Sequence, residues 1–210
     1  MNALRKPFRY RYSNAVLYLI AANALSFAVG YVAPEFKAFL ALNPALVLSG
    51  RVWQLFTYMF AHADLSHLAV NMLGLFFFGT QVERSMGSRE FVLFYALTGT
   101  LAGLASFAVY ALAGAWNTWL LGASGAVFAV LLAFAVLNPE ALIYVYGVLP
   151  LRAPIMVIGY ATIEILSQVF SFRSSVAHLT HLAGFGFAWL YFPLRFGINP
   201  ASRLFGRQRR

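Results

Sequence analysis

One serine and four histidines stand out in this chain as groups able to do chemistry. The serine sits in Gly122-Ala123-Ser124-Gly125, and the histidines are His62, His67, His178 and His181. The flanking glycines, Gly122 and Gly125, allow close backbone approach and a tight turn into a helix. A helix N-terminus at Ser124 would favour negative charge developing nearby. A serine so placed, next to an imidazole that takes its proton, can attack a carbonyl carbon. His67 and Asn71 are spaced i, i+4 and share one helix face. Both can donate hydrogen bonds, so the pair could hold an oxyanion, or it could simply tie two helices together. His178 and His181 are i, i+3, again roughly on one face. His62 lies five residues before His67, about 140° round an ideal helix. It is read as tying a loop to the helix start, with Asp64 or Ser66 as the N-cap.

The elements that must carry these residues follow from composition. Hydrophobic residues make up 61% of the 210, charged residues 10%, and mean hydropathy is +0.74. A soluble domain has about 45–50% apolar and about 25% charged residues. Too few charges are present to cover a soluble surface, so the expectation is an all-α membrane protein. Six apolar segments are read as transmembrane helices: roughly 14–33, 66–82, 91–113, 122–137, 154–171 and 177–194. The first is too long for a typical signal-peptide core. A partly submerged loop joins spans 1 and 2, because Trp53–Phe60 is apolar but too short to cross. The chain divides into a basic N-terminus (1–13), the six-span unit (14–194) and a basic tail (195–210). No internal repeat or soluble appendage is visible.

The 15 cations fix an orientation. With the N-terminus inside, 12 fall on the inner side: Arg5, Lys6, Arg9, Arg11, Arg84, Arg89, Arg152, Arg195, Arg203, Arg207, Arg209 and Arg210. Lys37, Arg51 and Arg173 make 3 on the outer side. The positive-inside rule then puts both termini in the cytoplasm. The net charge of +9 is read as anchorage to anionic lipid through the two basic ends, not as nucleic-acid binding. Span 4, taken from Gly122 to Leu137, has 16 residues and a length of about 24 Å. That falls short of a core about 30 Å thick, so its Ser124 end should lie recessed, below the surface. Gly184 and Ala188 form a small-residue stripe beyond His181. It would let span 6 approach span 4 and bring the imidazole to the serine.

Other chemistries fit poorly. Cysteine is absent, which removes thiolate chemistry and disulfides. No His-Glu-x-x-His motif occurs and no span pairs histidines at i, i+4, so no metal is expected. No glycine-rich phosphate loop is present, and no cofactor is implied. A transporter would need an inverted repeat or paired intramembrane carboxylates, and neither is found. Of the six acids only Glu164 lies well inside a span, without a partner evident in sequence. No acid is placed to complete a triad, so the expectation is a Ser–His dyad.

Taken in order along the chain, these motifs resemble the rhomboid intramembrane serine proteases. Trp53 with Thr57 is similar to the family's loop helix, and His62-Ala-Asp-Leu-Ser-His67-Leu-Ala-Val-Asn71 to its histidine–asparagine run. Gly79-Thr-Gln-Val-Glu83 with Gly87 resembles the end of its second span. Gly122-Ala-Ser124-Gly125 resembles its nucleophile motif, and His181-Leu-Ala-Gly184 its last-span histidine motif. The resemblance implies Ser124 as nucleophile and His181 as general base. It implies an oxyanion hole of His67, Asn71 and the Ser124 N–H. His178 becomes an accessory polar residue and Phe128 the aromatic that packs on the base. Substrates would be transmembrane proteins entering between spans 2 and 5, and the setting a bacterial inner membrane. A catalytically silent, client-binding relative is the alternative. Two positions depart from the family pattern: Gln54 stands where arginine usually follows the tryptophan, and Ala188 where glycine is frequent. The first puts a loop-bracing role for Gln54 in doubt. Oligomeric state is not legible.

Overall fold

The computed structural model describes residues 5–145, 147–170 and 175–206. Arg173, Arg207, Arg209 and Arg210, counted above in the charge asymmetry, lie outside the described residues. The chain is mostly helical. Helix α1 (Ala15–Val32) is followed by short α2 (Pro34–Leu40), α3 (Pro44–Leu48) and α4 (Gln54–Thr57), with a 3-10 turn at Tyr58–Phe60. Then α5 (Leu65–Gly74), a π turn (Leu75–Gly79) and α6 (Thr80–Met86) run on as one rod of 22 residues. After Gly87 come α7 (Ser88–Leu112) and α8 (Ser124–Leu137). A hairpin of β1 (Leu142–Val145) and β2 (Leu149–Arg152) leads to α9 (Ala153–Phe170), α10 (Ser175–Arg195) and α11 (Pro200–Phe205).

Among the described residues, three helices are long and apolar enough to cross a membrane: α1, the α5–α6 rod and α7. Helices α8 and α9 are apolar but shorter. The burial pattern is that of a protein in lipid. Large apolar side chains face outward, among them Val32, Leu65, Val70, Leu97, Leu112 and Ile163. Polar side chains face inward: Asn23, Gln54, His62, Asn71, Glu83, Glu90 and Glu164 are buried. Helix α8 is the centre, with 11 of its 14 residues buried. It packs against α7, α9, α10 and the α5–α6 rod.

Helix α8 begins at Ser124, two residues later than the sequence suggested. Gly122 takes φ +115°, outside helical space, so it turns the chain into the helix instead of joining it. Fourteen residues give about 21 Å. The β-hairpin was not anticipated. Gly147, at φ +73°, turns it, and Leu142 pairs with Arg152 in antiparallel register.

The loop between α1 and α5 is braced at its base. Buried Gln54 accepts from Asn43 N (3.2 Å) and donates to Ala38 O and Phe39 O (both 3.4 Å). Trp53 Nε1 donates to Phe39 O at 3.1 Å, and Thr57 Oγ1 to Leu40 O at 2.9 Å. The amide of Gln54 thus links the loop at three points, and the doubt raised by the missing arginine is answered. The loop also holds the lead-in to α8. Leu42 and Leu120 exchange two backbone hydrogen bonds of 2.9 Å, and Gly122 N donates to Tyr58 O at 3.0 Å.

The opposite end is tied by two buried acids. The Glu83 carboxylate accepts from Ala15 N (2.6 Å) and Val16 N (3.0 Å), capping the start of α1. Glu90 accepts from Phe8 N (3.0 Å), Tyr191 Oη (2.5 Å) and Arg195 Nε (2.7 Å). The N-terminal basic segment is therefore a strap across the α6–α7 turn as well as a cationic stretch. Arg195, counted among the inner cations, is engaged in an ion pair.

Candidate active site

Asp64 caps α5. Its Oδ1 accepts from His67 N at 2.8 Å and from Ser66 Oγ at 2.6 Å. These two bonds, the hydroxyl first, hold the exposed Asp64 carboxyl below the usual carboxylate range. The cap fixes where α5 starts, and so which way His67 and Asn71 face. Asn71 is buried and uses one amide hydrogen on His67 O, 2.8 Å away.

Gly122 allows the His67 ring to lie close to the chain that leads into Ser124. A Cβ at this glycine would fall 2.7 Å from both Cε1 and Nε2 of His67, and 3.8 Å from Ser124 Oγ. The start of α8 carries no side-chain cap. The first N–H groups of a helix have no intrahelical partner, so this end is a ready hydrogen-bond donor.

Helix α10 comes against α8 with almost no side chain between them. A Cβ on Gly184 would fall 2.0 Å from Gly125 O, and one on Gly125 would fall 2.9 Å from Thr180 Cγ2. Ser106 and Thr180 hydroxyls meet at 2.7 Å beside this contact, joining α7 to α10. One turn before Gly184, the His181 ring stacks on Phe128 of α8, with centroids 4.1 Å apart and planes 5° from parallel.

A cavity of about 470 Å³ is lined by His67, Asn71, Ser124, Phe128 and His181 together. Its apolar wall includes Val70 and Phe77 from the α5–α6 rod and Tyr160 from α9. Five residues singled out from the sequence thus converge on one space, from α5, α8 and α10. Gly122, Gly125 and Gly184 form the close contacts behind it.

His62 and His178 do not line this cavity. His62 is buried and stands edge-on to His67, with ring centroids 5.1 Å apart. It lines a separate cavity of about 440 Å³ near Lys37. It was read as tying the loop to the start of the span, and its buried ring sits between the end of the loop and His67 of α5. Burial, then the proximity of His67, pushes its pKa down to about 4. It is a neutral packing group.

His178 turns instead to Glu164. Its Nδ1 lies 2.5 Å from Glu164 Oε2, while His181 Nδ1 lies 3.1 Å from Oε1. The second contact has ion-pair distance but not hydrogen-bond alignment. Sequence reasoning left Glu164 without a partner because both partners come from another helix. Its isolation in an apolar span was the one available signal. Tyr160 was also missed; its ring meets Phe128 edge-on at 6.1 Å.

Residues 49–197 match the Rhomboid domain model. The chain belongs to the rhomboid family. It is 33% identical over 189 residues to RHOMBOID-like protein 12, mitochondrial, of Arabidopsis thaliana, covering 81% of this chain and 55% of that protein. It is 40% identical over 91 residues to Rhomboid protease GluP of Bacillus subtilis, covering 43% of this chain and 17% of that one. With Rhomboid protease GlpG of Salmonella paratyphi A, identity is 29% over 143 residues, covering 66% and 46%. This chain therefore spans about half, or less, of the length of these relatives. Family membership and the apolar helices together make it a multi-pass helical membrane protein.

Proposed function

We propose that this rhomboid is an intramembrane serine endopeptidase that cleaves transmembrane segments of other membrane proteins. One observation carries the reading: Ser124, the Phe128-stacked His181 and the donors His67 and Asn71 line a single cavity. A structural role for each alone would not require that convergence.

In this reading Ser124 Oγ attacks the scissile carbonyl carbon and its proton passes to His181. His67, Asn71 and the Ser124 N–H hold the resulting oxyanion. His181 returns the proton to the leaving amine, and water then releases the acyl group from Ser124. Substrate enters from the lipid between the α5–α6 rod and α9, whose side chains share the cavity wall. It must unwind locally to expose its carbonyl, which favours small or helix-breaking residues at the cut. Helices α1, α5–α6, α7, α8, α9 and α10 are the six spans, within a protease unit of residues 14–194. The basic ends, 1–13 and 195–210, face the cytoplasm, and the setting is a bacterial inner membrane.

The test is direct. Detergent-solubilised protein is incubated with a fluorophosphonate probe and with a model transmembrane substrate. Labelling at Ser124, cleavage by the wild type and loss of both in a folded Ser124→Ala variant are expected. A folded wild type that captures transmembrane segments but neither labels nor cleaves would instead be a client-binding relative.

A further inference from the structure

Glu164 occupies the middle of α9, an apolar helix, and the Ser–His reading makes no use of it. A carboxylate in such a place needs partners. Among the described residues its ion-pair partners are two imidazoles from α10, one on each oxygen: His178 at 2.5 Å and His181 at 3.1 Å. All three side chains are largely enclosed, with 10%, 20% and 14% of Glu164, His178 and His181 exposed. Both imidazoles present Nδ1. The contact to His178 is a closed hydrogen bond, which holds the carboxylate in place. The same three groups lie close enough to suggest a metal site. However, ligands about 2.0–2.2 Å from a zinc ion, in tetrahedral array, stand more than 3 Å apart. His178 Nδ1 and Glu164 Oε2, 2.5 Å apart and bonded to each other, do not both serve as ligands of one ion in this arrangement.

We propose that Glu164 is a positioning residue for His181: its carboxylate, anchored by His178, faces Nδ1 and leaves Nε2 as the nitrogen that takes the Ser124 proton. The assignment rests on the serine-protease reading above. Phe128 covers its face and a carboxylate oxygen lies 3.1 Å from Nδ1, so Nε2 is the nitrogen at the edge away from the carboxylate. A carboxylate at that edge favours the tautomer with its proton on Nδ1 and its lone pair on Nε2. When Ser124 Oγ bonds to the carbonyl carbon, its proton goes to Nε2 and an imidazolium forms. The carboxylate stabilises that cation without taking the proton, and Nε2 then delivers it to the leaving amine. The site would thus be a serine–histidine pair with a third member supplied by α9 and not by the helices that carry the pair.

The test compares Glu164→Gln and Glu164→Asp with the wild type on a transmembrane substrate. Rates are normalised to folded protein by thermal melting. Glu164→Gln keeps size and removes charge. Its kcat should fall on the order of 10²-fold with KM unchanged. That is less than the loss of about 10⁴-fold for a fully aligned triad carboxylate, because the His181 contact is off-line. Fluorophosphonate labelling of Ser124 should slow in step, and Glu164→Asp should recover part of the rate. A Glu164→Gln variant that melts earlier yet turns over normally when folded would reduce Glu164 to a tether and overturn the assignment. Wild-type activity lost in chelator and restored by zinc would overturn it in favour of a metal. A wild type that neither labels nor cleaves would overturn the protease reading and this assignment with it, whereas an active wild type with an equally active Glu164→Gln overturns this assignment alone.

Discussion

Asn71 shows how one side chain can satisfy two accounts at once. One amide hydrogen is bonded to His67 O, as in a residue that merely steadies its own helix. The other remains, and the side chain lines the cavity that holds Ser124. The two accounts touch different free energies. As an oxyanion donor, Asn71→Ala should lower kcat by about 10²–10³-fold, with little change in melting temperature. Single-turnover kinetics beside a melting curve separate the two; early melting with normal turnover would leave only the steadying role. His62 supports a different prediction, on stability. Its pKa falls from 6.5 to about 4 on folding. The unfolded chain therefore binds this proton first as pH drops. Stability from His62 staying neutral is complete above pH 6.5 and is lost as pH falls toward 4, to a limit of roughly 3 kcal/mol. His62→Phe should flatten that part of the pH–melting profile. A profile unchanged by the substitution would show that His62 is not the responsible group.

Among the elements, the seam between α8 and α10 sets the site. It is a backbone-to-backbone approach at Gly125 and Gly184, and His181 sits one turn from it. A methyl at Gly184 would meet the Gly125 carbonyl oxygen at 2.0 Å, and that atom cannot swing aside. Gly184→Ala should therefore push α10 off α8, cost about 1–3 kcal/mol and carry His181 away from Ser124. Gly186, on the same helix, has open space where a Cβ would go. Gly186→Ala should keep activity and hold or raise the melting temperature, since alanine is the better helix former. Equal loss in the two variants would mean that the seam is not specific. Polar loop groups act at this scale too. Gln54 replaces the usual arginine and still braces the loop, because hydrogen bonds to backbone need donors and an acceptor more than a charge.

For the molecule as a whole, the arrangement is polar inside and apolar outside, as lipid demands. Its two ends differ. The α8 N-terminus carries the cavity, and the far end carries buried Glu83 and Glu90 with the N-terminal strap and Arg195. In the proposed orientation, which rests on the cation asymmetry, the strapped end faces the cytoplasm. Reporters at either terminus should then read cytoplasm, and a tag between Gly114 and Trp119 should read the outer side. An outer-side signal from the N-terminus would reverse the orientation or change the span count. Glu90 bonds the strap, Tyr191 and Arg195 at once, so it links the first residues of the chain to its last long helix.

Hydropathy alone determined that the chain is helical and apolar, and it located the long segments, because lipid imposes length and composition directly. Residue type and spacing singled out Ser124, His181, His67 and Asn71, since a helix puts i, i+3 and i+4 on one face. The start of α8 was misplaced by two residues because a glycine's φ is not written in hydropathy. The β1–β2 hairpin was missed because its strands are short and lie between apolar runs. What only the tertiary structure decided is which faces meet: that His62 packs edge-on against His67, that Phe128 lies flat on His181, and that Glu164 finds both histidines. Those contacts join helices distant in sequence. Periodicity within a helix specifies a face, but only packing against a neighbour specifies what that face touches.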